Sequence, residues 1–308
     1  MMSSTGSRKS SLGRDLKRHW QLYLMFLPVF VWYCLFCYAP LYGLLAAFQR
    51  YNVRRGILGS QWIGLNNFRD FFNSYYFSRI LVNTLRINLS DLVFAWPSSI
   101  IFALLLNEIS RSWYKRTVQT LTYLPYFVSL VVVCGLIADF TSSNGVINDI
   151  VVAFGGQRIG MLAEKSYFTP IYVISNIWQH MGYGSIVYLA AIGGINSELY
   201  EAASLDGAGR IRQTIHVTLP GIAPTIITLL ILRIGSILSV SFEKILLLQN
   251  DANREVSEVI STFVYKKGMI EAVYGYATAV GLFNSVFSLV FLVGANYASR
   301  RYTETSLW

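Results

Sequence analysis

Ser197-Glu-Leu-Tyr-Glu-Ala-Ala-Ser-Leu-Asp-Gly-Ala-Gly-Arg210, continued by Ile211-Arg-Gln-Thr-Ile-His-Val-Thr-Leu-Pro220, is a polar island between two long apolar runs. Ser197 predicts a helix N-cap, because its hydroxyl can accept a backbone N–H left free in the first turn. Glu198 and Glu201 fall early, where the helix dipole favours acids. Ala202, Ala203 and Leu205 favour helix, and Asp206-Gly207 predicts a break soon after. Pro220 marks the approach to the next apolar run. The segment therefore reads as a short helix with small residues on one side, held between two apolar stretches. Small side chains let another protein's surface come close. Glu201 and Arg210 can fix its orientation through charge-assisted hydrogen bonds.

The flanking runs set the fold class. Of 308 residues, 54% are hydrophobic and only 13% charged, against roughly 25% charged in soluble domains. A spanning helix needs about 20 mostly apolar residues, and six runs qualify: 21–48, 79–106, 117–139, 169–193, 221–241 and 277–297. The chain reads as an all-α integral membrane protein with six transmembrane helices. Pro28, Pro40, Pro97 and Pro125 fall inside these runs, which is tolerable where neighbouring helices satisfy the freed carbonyls. The run from Gln21 to Phe48 exceeds a signal-peptide core of about 7–15 residues, so it reads as an uncleaved first span.

The net charge of +9 is read as lipid-facing, and nucleic acid is not expected as a partner. Arg8, Lys9, Arg14, Lys17 and Arg18 precede the first span, the pattern of a cytoplasmic anchor on anionic lipid. With an even number of spans, both termini are expected in the cytoplasm. The expected organisation is a basic segment 1–20, a spanning domain 21–297 with the polar loop 194–220 inside it, and a tail 298–308. Loops 50–78, 140–168 and 242–276 then face outward. The first carries Trp62, Phe68, Phe71, Phe72, Tyr75 and Tyr76, which suit an interfacial belt or a surface for an external partner.

The polar loop resembles the EAA loop of the permease subunits of binding-protein-dependent ABC importers. Glu201-Ala-Ala-Ser-Leu-Asp-Gly-Ala208 and Val217-Thr-Leu-Pro220 stand at that family's spacing, with Val217 at an isoleucine position. The strings Gly64 to Phe68, Asn83-Thr84, Ser257 to Tyr265 and Ser306-Leu307-Trp308 are similar to the oligosaccharide and polysaccharide branch of the maltose-type permeases. The resemblance implies a type I importer fold in a bacterial plasma (inner) membrane. It implies that Glu201, Ala202, Ala203, Asp206, Gly207, Arg210, Leu219 and Pro220 couple the spans to separate ATPase subunits. It also implies a homologous second permease subunit, an extracellular or periplasmic solute-binding protein and an oligosaccharide substrate. No G-x-x-x-x-G-K-[ST] phosphate loop is present. The chain is therefore expected to be no enzyme by itself and to bind no cofactor, with ATP and Mg on the partner ATPase.

Polar residues inside spans are costly and are default site candidates. Tyr172, Asn176, Gln179, His180 and Tyr183 share one face of the fourth run at helical spacing, and amides and tyrosines suit sugar hydroxyls and rings. The same stripe would also serve a polar contact between helices. Arg233 and Arg86 have two open readings: an ion pair with an acid on another helix, or contact with an acidic sugar such as a uronate. Thr225, Thr228, Ser236 and Ser239 read as contacts between helices. No metal site is expected, because His19, His180 and His216 lack ligand spacing and Asp251, Asn253 and Glu255 lack the glycine of a calcium loop. An alternative is an ion-coupled secondary transporter of a small polar solute. Asp91 is the one acid well inside a run, which disfavours it.

Overall fold

The computed structural model describes residues 18–238 and 241–303. Helix dominates. A two-residue antiparallel pair, β1 (Gln49–Arg50) with β2 (Gln61–Trp62), is the one sheet among the described residues. Helix α1 (Trp20–Phe48) opens the bundle. It passes through a π turn at Cys34–Tyr38 and tightens to 3-10 geometry from Ala39, where Pro40 removes a donor. None of Trp20–Tyr33 is buried, although the stretch is apolar all round. A helix of that kind requires lipid or another apolar surface.

A short α2 (Asn66–Phe72) leads into α3 (Tyr75–Asn107). The ring of Phe71 is fully buried with Ile80, Ile260, Phe263, Val280 and Phe283. Part of the aromatic content of loop 50–78 is thus core rather than belt. Five helical segments are long and apolar enough to cross a membrane: Trp20–Phe48, Tyr75–Asn107, Leu130–Ala153, Arg210–Gly235 and Tyr274–Arg301. The run expected as the fourth span forms a 29-residue helix, Lys165–Gly193. At 1.5 Å per residue it is about 43 Å long, ample for a hydrocarbon core of about 30 Å. Its polar stripe keeps it below the apolarity of the others.

Two spans depart from the expected boundaries. The third, expected as 117–139, is not one helix: α4 (Ser112–Tyr123) gives way to a 3-10 turn at Leu124–Phe127, Val128 is extended, and α5 (Leu130–Thr141) starts afresh. Pro125 supplies no amide hydrogen, and a 3-10 turn ends at an extended residue without needing one. The α6 helix (Val146–Ala153) follows, and then the long helix just described, α7 (Lys165–Gly193). After the short α8 (Ser197–Leu205), the fifth span, expected over 221–241, begins earlier and ends earlier as α9 (Arg210–Gly235). The chain then folds back. In α10 (Phe242–Leu248), Lys244, Ile245 and Leu248 are buried, packed with Tyr172, Val173 and Phe168. Part of loop 242–276 is therefore core. The α11 helix (Ile260–Tyr265) and the long α12 (Tyr274–Thr303) complete the bundle, with α12 lying along α9 and the end of α1. Ser239, most of the basic N-terminal segment (1–17) and the end of the tail (304–308), with Ser306-Leu307-Trp308, lie outside the described residues.

Candidate functional site

Helix α7 packs most closely along the second half of α3. Glycines set its approach to both neighbours: a Cβ on Gly182 would run into the carbonyl of Thr122 in α4, and one on Gly184 would stand 2.6 Å from the Ser99 hydroxyl oxygen in α3. Where the third span breaks, this packing opens into a cavity of about 550 Å³. Tyr126, Val128 and Leu130 from the break line one side. The π turn Asp91–Ala95 of α3 supplies another part of the wall through Asp91 and Ala95. A π turn adds one residue per turn and re-aims the side chains that follow.

The expected stripe converges here. Tyr172, Asn176, Gln179, His180 and Tyr183 all line the cavity, as does Arg233 from α9. Trp178 turns away and is half exposed. Arg86 is not in the lining. Its guanidinium donates to the Val256 carbonyl at 3.0 Å, so it braces the segment before α11. Arg79 and Asn83 of α3 do the same through Glu258 and the Glu255 carbonyl. On the exposed rim Lys165 pairs with Glu255, and that hydrogen bond holds the carboxyl below its ordinary range. Thr228 and Ser236 turn their hydroxyls onto their own helix carbonyls, at 2.8 and 2.9 Å, rather than to another helix.

A connected polar network organises the cavity. Arg233 pairs with Asp91 Oδ2. Asp91 Oδ1 accepts from the Asn176 amide at 2.6 Å, and Asn176 Oδ1 accepts from Lys244 Nζ at 2.7 Å. The Lys244 ammonium also lies 5.4 Å from the centre of the Tyr172 ring. Tyr126 and Tyr183 stack face to face, 3.9 Å between centroids and 4° from parallel. His180 meets Tyr126 edge-on. Gln179 Oε1 is buried without a partner. Sequence reasoning missed Tyr126, Trp96, Ser99 and Lys244, and noted Asp91 only as an acid inside a span. A signal for Lys244 was present: the apolar run Ile245 to Leu248 after it indicates a segment returning to the interior.

The second site is the polar loop. Helix α8 begins at Ser197 as a helical residue; the cap is Asn196, one position earlier than expected, whose Oδ1 accepts from the Glu198 amide at 3.0 Å. The helix stops where Gly207 takes a φ of +76°. The amides of Gly207 and Ala208 donate to Ser204 and Ala203 carbonyls at 3.0 and 2.9 Å, a glycine-dependent stop. Gln213 ties α8 to α9 through Ser204 and Ala208, and Tyr200 reaches the Thr218 hydroxyl at 3.0 Å. The outer face is open: Glu201, Ala202, Asp206 and Arg210 are exposed, and Leu205 and Ile211 are 90% and 76% exposed. Arg210 stands 3.6 Å from Glu108 at the end of α3. Leu219 and Pro220 resume the α-helical geometry of α9 after a π turn at Thr214–Thr218. No cluster of His, Cys, Asp or Glu among the described residues could hold a metal.

Residues 95–304 match the family described as "Binding-protein-dependent transport system inner membrane component". Protein LplB of Bacillus subtilis is 43% identical over 95% of this chain and 92% of its own length. The polygalacturonan/rhamnogalacturonan transport system permease protein YteP of the same organism is 42% identical over 93% and 90%. A chain in the crystal structure of a bacterial alginate ABC transporter, in complex with alginate pentasaccharide-bound periplasmic protein, superposes with a TM-score of 0.89 at 43% identity, covering 96% of this chain and 99% of that one.

Proposed function

We propose, from the premise that this chain belongs to the binding-protein-dependent transport system inner membrane component family, that it forms half of the path of an ATP-driven oligosaccharide importer. It is a multi-pass membrane permease subunit. The cavity at the break in the third span carries the saccharide reading: amides, tyrosines and a stacked aromatic pair are gathered in about 550 Å³. Saccharide sites need this chemistry, a few placed polar groups for hydroxyls and an aromatic face for the ring. Non-helical backbone at span depth is tolerated where it borders a polar cavity. The names of the relatives support the same substrate class, since one is a polygalacturonan/rhamnogalacturonan permease and the solved neighbours belong to importers of alginate, an acidic polysaccharide.

Coupling falls to α8. Its exposed Leu205, the neighbouring Ile211 and the small Ala202 and Ala203 offer a knob for a cleft in an ATPase subunit. Glu201, Asp206 and Arg210 fix the docking by charge, Gly207 lets the chain turn, and Leu219 and Pro220 carry the movement into α9. ATP and Mg belong to that partner, and the assembled complex is the ATP-hydrolysing translocase. A second permease subunit covers the unburied face of α1, and a solute-binding protein delivers substrate to the outer loops. On this reading the chain crosses a bacterial inner membrane six times, and the basic residues ahead of the first span favour cytoplasmic termini.

The test is uptake by proteoliposomes holding this chain, its sister permease and the ATPase, with binding protein and labelled oligosaccharide outside. Accumulation that requires ATP inside supports the reading. Accumulation by this chain alone, driven by a proton or sodium gradient without ATP, replaces it with a secondary transporter.

A further inference from the structure

Asp91, Arg233 and Lys244 are the carboxylate, guanidinium and ammonium groups around the cavity, and their pairing is unequal. Both Asp91 oxygens are engaged, one by Arg233 and one by Asn176. Arg233 thus has its counter-anion. Lys244, 1% exposed, has no carboxylate within ion-pair distance among the described residues: its ammonium reaches a neutral amide oxygen and the face of Tyr172. An ammonium carries three donors, and a buried cation without a counter-charge is costly. Gln179 stands beside the same space, 5% exposed, with Oε1 unpartnered. The lining therefore has one surplus positive charge, an acceptor waiting for a hydroxyl, and the Tyr126–Tyr183 stack.

We infer that Lys244 selects acidic saccharides, pairing its ammonium with a uronate carboxylate while Gln179 Oε1 accepts a sugar hydroxyl and the Tyr126–Tyr183 pair packs on the ring. This rests on the saccharide reading above. A uronate brings the missing anion, and a neutral sugar of the same length does not. The stated charge balance gives Lys244 the role of discriminating, and Arg233, already neutralised by Asp91, the role of holding the wall.

The experiment uses the reconstituted complex and two substrates, an acidic oligosaccharide and the same oligosaccharide with its carboxyls reduced to alcohols, and reads the ratio of their uptake rates. Lys244→Met lowers the ratio about tenfold or more, as expected for loss of one charge-assisted contact, and Lys244→Arg keeps it within about threefold of wild type. If Lys244→Met does not co-purify with its partners, Gln179→Glu reads the same balance by adding an anion, and the ratio falls as steeply. A ratio unmoved by whichever of these two variants assembles overturns the inference, as does equal loss of both substrates in Lys244→Met, the mark of a merely structural lysine. A wild-type complex that accumulates neither saccharide overturns the saccharide reading itself, a result distinct from an unmoved ratio.

Discussion

Replacing Asp91 by alanine strips two partners at once. Asp91 has a side chain only 6% exposed, pairs with Arg233 and accepts from Asn176 at 2.6 Å. Its loss leaves a guanidinium without a counter-charge and a half-buried amide donor without an acceptor. Breaking a buried ion pair by removing one partner costs about 3–5 kcal/mol. Arg233 is 38% exposed, more than a third, so solvent recovers part of that. The orphaned Asn176 donor adds about 1 kcal/mol. Together, about 2–4 kcal/mol of destabilisation is expected. Unfolding of the purified chain in mixed micelles measures it, and a double-mutant cycle isolates the pair. In Asp91→Ala with Arg233→Met neither charge is present, so the double variant should be at least about 1 kcal/mol more stable than Asp91→Ala alone. A double variant as unstable as the sum of the single ones would refute the pairing as the source of the cost.

Three further changes follow from geometry. Gly182→Ala pushes a methyl into the Thr122 backbone, which cannot step aside, whereas Gly184→Ala meets only the Ser99 side chain, which can rotate; the first should cost about 1–3 kcal/mol and the second under about 1 kcal/mol, read as thermal stability in detergent. Gly207→Val forces a β-branched residue to a φ of +76° although open space surrounds it; the strain of about 1–2 kcal/mol should loosen the end of α8 and lower substrate-stimulated ATP hydrolysis while the chain still folds, as checked by ATPase assay and gel filtration.

Much of this architecture was legible because membrane helices announce themselves through composition. The face of α7 from Tyr172 to Tyr183 could be read from spacing alone, since a helix places i, i+4, i+7, i+8 and i+11 together, and all five residues meet the cavity. The α8 helix could be read from its cap, acids and glycine, with an error of one residue at the cap because Asn196 and Ser197 are both competent and the chain uses the first. The break at Leu124 to Ser129 was hidden because apolarity continues through it, and hydropathy does not report hydrogen bonds. Lys244 was harder to read: the short apolar run Ile245 to Leu248 after it points inward, but only the fold-back of α10 against Tyr172 and Val173 buries the lysine with it. Arg86 and Arg233 had identical cases on paper; their partners, Val256 and Asp91, lie 170 and 142 residues away, beyond any local pattern.

A photoreactive oligosaccharide, flashed while the complete complex turns over ATP, tests the path most directly, with labelled peptides mapped by mass spectrometry. Label within 126–130 and 172–184, dependent on ATP and on the binding protein, is the predicted outcome. Label confined to the outer loops, or equally strong without ATP, would contradict passage of the saccharide through this cavity.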